Sequence, residues 1–299
     1  MQAPHTSSET LGTVVASTGA LATLRTTTGT TAALLADDML HPLPYSDVGE
    51  LLAHHPAAVE PDPSQIPIPL PAANFAPLIT SPGKVICCGH NYRAHIAEMG
   101  RTTPEFPTLF TKFADTLTGA NDDIVVSAEA AQSLDWEAEL AVIVGATLRD
   151  ADPVTAAAGI AGYAIANDIS VRAWQRHTGQ WLPGKAVDRT TPIGPVMVAP
   201  ADFDPGLGAR IRCLVNGETV QDSRVDDLLF APAALLSYIS GFTTLRPGDV
   251  VLTGTPAGVG AAAQPPRHLR DGDQVVTEIV GLGRCSNLIR VQSALSPTS

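Results

Sequence analysis

The chain has 299 residues, 44% of them hydrophobic and 16% charged, the proportions of a globular protein rather than a disordered one. Its 30 acidic residues outnumber 18 basic ones, a formal charge of −12, which argues against a nucleic-acid binder and against docking on anionic lipid. No apolar run approaches the roughly 20 residues of a membrane-spanning helix.

The stretch MQAPHTSSETLG at residues 1–12 has neither the basic start nor the apolar core of a secretory signal. Cys87, Cys88, Cys213 and Cys285 show neither CxxC spacing nor disulfide density, so free thiols and a reduced, cytoplasmic setting are expected. Residues 1–60 alternate short apolar and Thr/Ala/Gly-rich stretches, with a helix predicted over 46–54. The segment PDPSQIPIPLPAANFAP carries too many prolines for a helix or a central strand. It reads as an extended linker that closes a small N-terminal domain at residues 1–75, leaving 76–299 as the main domain.

KVICCG (84–89) is a short apolar strand that breaks at Gly89, and 90–100 a helical turn ending in glycine. LDWEAELAVIVG (134–145) begins with alternation and becomes wholly apolar, as a buried strand does. Asp152 and Pro153 start a helix by capping and a first-turn proline. GYAIANDIS (162–170) is a further strand and 231–240 a helix. LRPGDVV and LRDGDQVV are each a glycine turn delivering a strand. The fold class expected is β-rich α+β.

Glu137 and Glu139 stand two apart on a strand and therefore share a face. A solvated strand edge would carry the same pattern. Asp168 argues otherwise, because it ends an apolar strand where a lone carboxylate is costly. Three carboxylates at two strand ends suit Mg²⁺ or Mn²⁺, and no His/Cys cluster competes for zinc. His95 and Glu98, three apart on a helix, form a pair in which the acid orients the imidazole as a general base. Lys185, on a turn after Gly184, can hold a carboxylate or an enolate oxygen, or can be a solvated loop lysine. Arg172 and Gln175 are placed to bind a substrate carboxylate. GTPAGVG (254–260) lacks the Gly-Lys-Ser/Thr of a phosphate loop, which removes a nucleotide-binding reading.

GHNYRAHIAEMG, LDWEAELAVIVG, NDISVRAWQ, GKAVDRTTPIGP, VNGETVQ and GDVVLTGTPAGVG occur in an order that resembles the fumarylacetoacetate hydrolase family, over about residues 82–290. The resemblance implies a mixed β-sheet roll or sandwich catalytic domain preceded by a small β-containing domain. It makes Glu137, Glu139 and Asp168 the metal carboxylates, His95 and Glu98 the catalytic dyad, and Lys185 the group that polarises the substrate. Thr255 matches the threonine of the glycine-rich loop, Arg172 and Gln175 match polar pocket positions, and Tyr92 falls in the flexible segment before the dyad as a further substrate-binding position. One departure is Ala173, where the family usually has aspartate; it bears on loop stability and substrate fit rather than on the metal.

The expected reaction is Mg²⁺-dependent hydrolysis of a carbon–carbon bond in a 2,4-diketo acid of the acylpyruvate type, through a metal-bound enolate and water activated by the dyad. Isomerisation, tautomerisation or oxaloacetate decarboxylation at the same site is the alternative, with an idle binding protein a third reading. The expected partners are a small keto acid and, by resemblance, a second copy of the chain in a homodimer. His177, Trp181 and Leu182, in the stretch 174–183, offer packing for the distal end of the substrate, or equally cover an interface or close the fold.

Overall fold

The computed structural model describes residues 19–55 and 59–292. The stretch at residues 1–12 therefore lies outside the described residues. Two β-sheets carry the architecture. The first runs in spatial order through Ile68–Pro69, Met39–Pro42, Thr30–Ala36, Leu21–Arg25, Thr191–Val198, Ile160–Asn167, Ala138–Val144, Val250–Leu252, Val85–Gly89 and Thr108–Lys112. The second is five-stranded: Glu218–Arg224, Arg210–Val215, Gln274–Ile279, Gly283–Gln292 and Ile124–Ser127. This is the β-rich α+β fold expected, with short helices only.

Period-two alternation explains how the sheets stack. In the fully buried strand Ala138–Val144, Leu140 and Val142 point to one face and Ala141 and Ile143 to the other. Leu140 and Val142 join a core with Ile211, Val275 and Ile289 of the second sheet. Ala141 and Ile143 join a separate core with Val48 and Leu51 of the helix Val48–His54. A strand covered on both faces has no polar alternation to show, which is why AVIVG reads as an unbroken apolar run. The second sheet is covered on one face only, and Arg210–Val215 and Ile124–Ser127 accordingly alternate between buried and open positions.

The predicted elements recur with small shifts: the helix over 46–54 is Val48–His54, capped by Asp47, whose carboxylate accepts from Glu50 N at 2.7 Å. The strand over 84–89 is Val85–Gly89, and the helix after Asp152 is Pro153–Ala158. The four N-terminal strands lie at one end of the first sheet, attached where Leu21 pairs with Met197. Around the expected boundary at 75, Phe75 bridges Leu24 and Ala76 N donates to Thr23 O at 2.9 Å. All four cysteines are free and buried. Among the described residues no helix is long and apolar enough to cross a membrane.

Candidate active site

The site sits where adjacent antiparallel strands of the first sheet end. Register pairs Ala138 with Asn167 and Glu139 with Ala166, so Glu137 and Asp168 meet just beyond the ladder. Asp168 N donates to Glu137 O at 2.8 Å, and Asn167 Oδ1 accepts from Glu137 N at 2.9 Å. One carboxylate oxygen from each of Glu137, Glu139 and Asp168 lies within 4.8 Å of the other two, and all three residues are buried.

Three buried cations answer them. Lys185 Nζ donates to Glu137 Oε2 and to Asp168 Oδ2, each at 2.7 Å. Lys112 Nζ donates to Asp168 Oδ1. Arg172 contacts Glu137 Oε1 at 2.6 Å and donates from Nε to Asp135 Oδ2 at 2.8 Å. Asp135 is structural: its oxygens also accept from Gly260 N and Ala261 N, fixing the loop that closes the site. Four carboxylates thus face three cations, and Glu139 is the one without an ionic partner among the described residues. Among the described residues its one donor is Gly254 N, at 2.6 Å.

Charge states follow from these contacts. Burial pushes the Glu139 carboxyl well above the ordinary range, and the neighbouring Asp168 and Glu137 push it further. Burial would also raise Glu137, but Lys185 and Arg172 outweigh it and hold that carboxyl down at about 2. Burial works against the Lys185 ammonium, yet Asp168 and Glu137 raise its pKa, so it stays charged.

A hard divalent cation fits this donor set: three carboxylates on rigid strand ends, one of them lacking the countercharge it needs. Glu137, Glu139 and Asp168 would hold it. Because burial and the neighbouring carboxylates shift Glu139 toward its protonated form, loading should displace a proton as that form becomes populated. Mg²⁺ affinity should therefore rise with pH, by at most about tenfold per pH unit, through the range below the raised Glu139 value. Titration calorimetry in two buffers of different ionisation heat checks this, and identical apparent enthalpies in both would disprove it.

His95 reaches the same cavity from the helix Arg93–Glu98. Its Nδ1 lies 2.8 Å from Glu98 Oε2, and Glu98 Oε1 accepts from Gly258 N at 3.0 Å. The dyad is thereby tied to the glycine loop whose Gly254 serves Glu139. Those glycines are required: both have left-handed φ (98° and 99°), and a Cβ at Gly258 would stand 2.1 Å from Val220 O.

The cavity has a volume of about 360 Å³, and His95, Glu137, Glu139, Arg172, Gln175, Lys185 and Thr255 all line it. Asp168 lies beneath them, fully buried. Tyr92, expected as a substrate contact, is a correction: it does not line the cavity, and its ring is fully buried in the core that joins the two sheets. The residue caps the dyad helix and bridges Leu228, so the chain pins it inward. Lys185 is likewise no solvated turn residue, being 2% exposed at the end of the short helix Leu182–Lys185. Trp181 lines the cavity, whereas His177 and Leu182 do not. Ala173 sits on the open side of the Arg172–Gln175 helix, its N–H donating to Ser133 Oγ at 3.0 Å, away from the carboxylates.

Several residues escaped the sequence reading. Lys112 ends the edge strand Thr108–Lys112 and looks like an ordinary edge lysine until its partner Asp168 is known. Gln221, within VNGETVQ, braces the site: its Oε1 accepts from Ala138 N at 2.9 Å and its Nε2 donates to Thr255 Oγ1 at 2.8 Å. His90, Arg101 and Arg176 also line the cavity.

Residues 84–290 match the family model described as fumarylacetoacetate (FAA) hydrolase, C-terminal. The chain belongs to the fumarylacetoacetate hydrolase family. Human mitochondrial oxaloacetate tautomerase FAHD2A is 39% identical over 229 residues, covering 76% of this chain and 73% of that protein. Among solved structures, the fumarylacetoacetate hydrolase of Exiguobacterium antarcticum superposes with a TM-score of 0.83 at 30% identity, over 91% of this chain and 99% of that one. The 5-carboxymethyl-2-hydroxymuconate delta-isomerase of Mycobacterium smegmatis superposes with a TM-score of 0.77 at 31% identity, over 91% of this chain and all of that one. The family resemblance and the sheet-rich catalytic fold expected from the motifs are thus confirmed, and the chain is an enzyme of this superfamily.

Proposed function

We propose that this enzyme is a divalent-metal-dependent tautomerase of 2-oxo acids, interconverting the keto and enol forms of a substrate such as oxaloacetate. The observation that carries the reading is His95, engaged by Glu98, lining the same cavity as Glu137 and Glu139 of the buried carboxylate triad. That geometry suits proton transfer at carbon as well as attack by water. The tautomerase and isomerase names of its relatives favour proton transfer over the hydrolysis expected from sequence.

A bound Mg²⁺ or Mn²⁺ would act as a Lewis acid, acidifying the hydrogen beside the substrate carbonyl. The chain's own groups do the rest. Arg172, Gln175 and Thr255 line the wall available to the substrate carboxylate. Glu98 engages His95 at Nδ1, which leaves Nε2 as the base that takes the C3 proton and the acid that returns it. Lys185 is committed to Glu137 and Asp168 as an ammonium; it holds two carboxylates in place and adds positive charge where enolate charge develops.

The test follows the enol absorbance of oxaloacetate with Mg²⁺ and then with EDTA, while pyruvate is assayed in parallel and acetylpyruvate is offered separately. Metal-dependent acceleration of enol–keto exchange without pyruvate above background is expected. Cleavage of acetylpyruvate without exchange would return the hydrolase reading, and pyruvate from oxaloacetate alone would make the enzyme a decarboxylase.

A further inference from the structure

A second cavity lies apart from the active site and shares no lining residue with it. Its volume is about 570 Å³, against about 360 Å³ for the active-site cavity. It opens between the start of the strand Ile160–Asn167, the loop at 200–206 and the segment 225–233. Ile160, Val225 and Leu228 are buried and give it an apolar lining, and the buried rings of Tyr163 and Phe203 meet beside them at 5.5 Å. Tyr163 is 6% exposed, and among the described residues its hydroxyl has no hydrogen-bond partner. A buried phenol with no bond in return marks a place where an outside group can supply one.

Charge selects the occupant. Besides Tyr163, the ionisable groups lining this cavity are two exposed carboxylates, Asp204 and Asp226, and among the described residues no lysine, arginine or histidine lines it. Asp226 is shared with Arg224, whose Nε stands 3.3 Å from Oδ1. Asp204 is the free one: Oδ1 accepts from Gly206 N at 2.8 Å, and Oδ2 has no partner among the described residues. Burial, with the Asp204 charge adding to it, lifts the Tyr163 phenol to about 12, so at pH 7 it keeps its proton and its oxygen is a neutral acceptor.

We propose that this cavity is a binding site for a small organic cation, a primary ammonium carried on an aromatic or alkyl body. The ammonium donates to Asp204 and to the Tyr163 oxygen, while the Tyr163 and Phe203 rings take the body and the adjoining charge. The site is independent of the tautomerase reading. One of its walls nonetheless fastens the dyad helix: Asp227 Oδ2 accepts from Ala94 N at 3.0 Å, and Leu228 O accepts from Arg93 at 2.7 Å.

The test titrates 2-phenylethylamine and tryptamine into the protein by NMR, each beside its neutral alcohol, 2-phenylethanol and tryptophol, and beside the anion 3-phenylpropionate. Mg²⁺ is present throughout so that the carboxylate triad of the active site does not compete for the ammonium. At least one amine should bind about tenfold or more tighter than its alcohol. Asp204→Asn keeps the Oδ1 acceptor for Gly206 N and removes the charge, so that ratio should fall below about threefold. Tyr163→Phe keeps the ring and should weaken the amine severalfold. Glu129→Gln, at an exposed acid outside the cavity, should leave both Kd values unchanged. Amine and alcohol of equal affinity, tighter binding of the anion, or a preference that survives Asp204→Asn would overturn the site. Unchanged thermal midpoints establish that the variants are folded.

Discussion

Replacing Lys185 with methionine is expected to destabilise the metal-free enzyme by about 3–5 kcal/mol, the cost of leaving buried charges without their partner. Methionine keeps much of the volume but strands Glu137 Oε2 and Asp168 Oδ2, each of which accepts from the ammonium at 2.7 Å. Lys112 still serves Asp168 and Arg172 still serves Glu137, so the fold should survive with a thermal midpoint lower by roughly 10 °C. Mg²⁺ should recover part of that loss, because a cation in the triad replaces some of the missing charge.

Acid stability gives an independent reading. Glu137 is held at about 2 in the native state by Lys185 and Arg172 against the cost of burial. A lowered carboxyl contributes stability that is complete above its ordinary value of 4.5 and disappears as pH falls toward 2. Without Lys185 the native value rises, the contribution shrinks, and the acid-unfolding midpoint moves to higher pH. Adding Glu137→Gln should restore part of the thermal loss, since the amide needs no counterion. A midpoint unchanged in Lys185→Met, by heat and by acid, would mean that the ion pairs contribute nothing net.

The carboxylates were legible because strand chemistry exposes them: two acids at i and i+2 before an unbroken apolar run, and one acid ending another such run. Their cations were not. Arg172 and Lys185 were expected to grip substrate, whereas the structure commits both to protein carboxylates. Their partners lie 35 and 37 residues away from Arg172, and 17 and 48 residues away from Lys185. Only the register between Ala138–Val144 and Ile160–Asn167 closes that separation. Lys112 was missed for the same reason, 56 residues from Asp168. Tyr92 was misplaced because its neighbours in sequence line the cavity while it turns into the core. Elements with local signatures, such as the helix over 46–54 and the one begun by Asp152, fell within two residues of where sequence put them.

The separation of duties within the cavity constrains the identity of the base. Lys185 stays protonated and committed to two carboxylates, and Glu137 is ionised but held by Lys185 and Arg172. Asp168 is held by Lys112 and Lys185, and Glu139 is one of the three carboxylates that would hold the cation. His90 also lines the cavity, with burial lowering its pKa to about 4, but among the described residues its ring nitrogens have no partner, so no acid orients it as Glu98 orients His95. His95 is left.

His95→Asn should therefore lower kcat for enol–keto exchange by about 10²–10⁴-fold, the usual contribution of a positioned general acid–base. KM should move little, because Arg172, Gln175 and Thr255 keep the carboxylate wall intact. Glu98→Gln should cost less, about tenfold, since its one amide oxygen can still accept from Nδ1, although the amide nitrogen then faces Gly258 N in place of an acceptor and the charge that steadies the imidazolium is lost. Exchange of the C3 hydrogens of oxaloacetate with solvent deuterium, followed by NMR with Mg²⁺ present, isolates the proton-transfer step from product release. Loss of exchange in His95→Asn above the metal-only background places the abstracted proton on the imidazole. Parental exchange rates in that variant would exclude His95 as the base and leave the dyad a structural tie between the helix and the glycine loop.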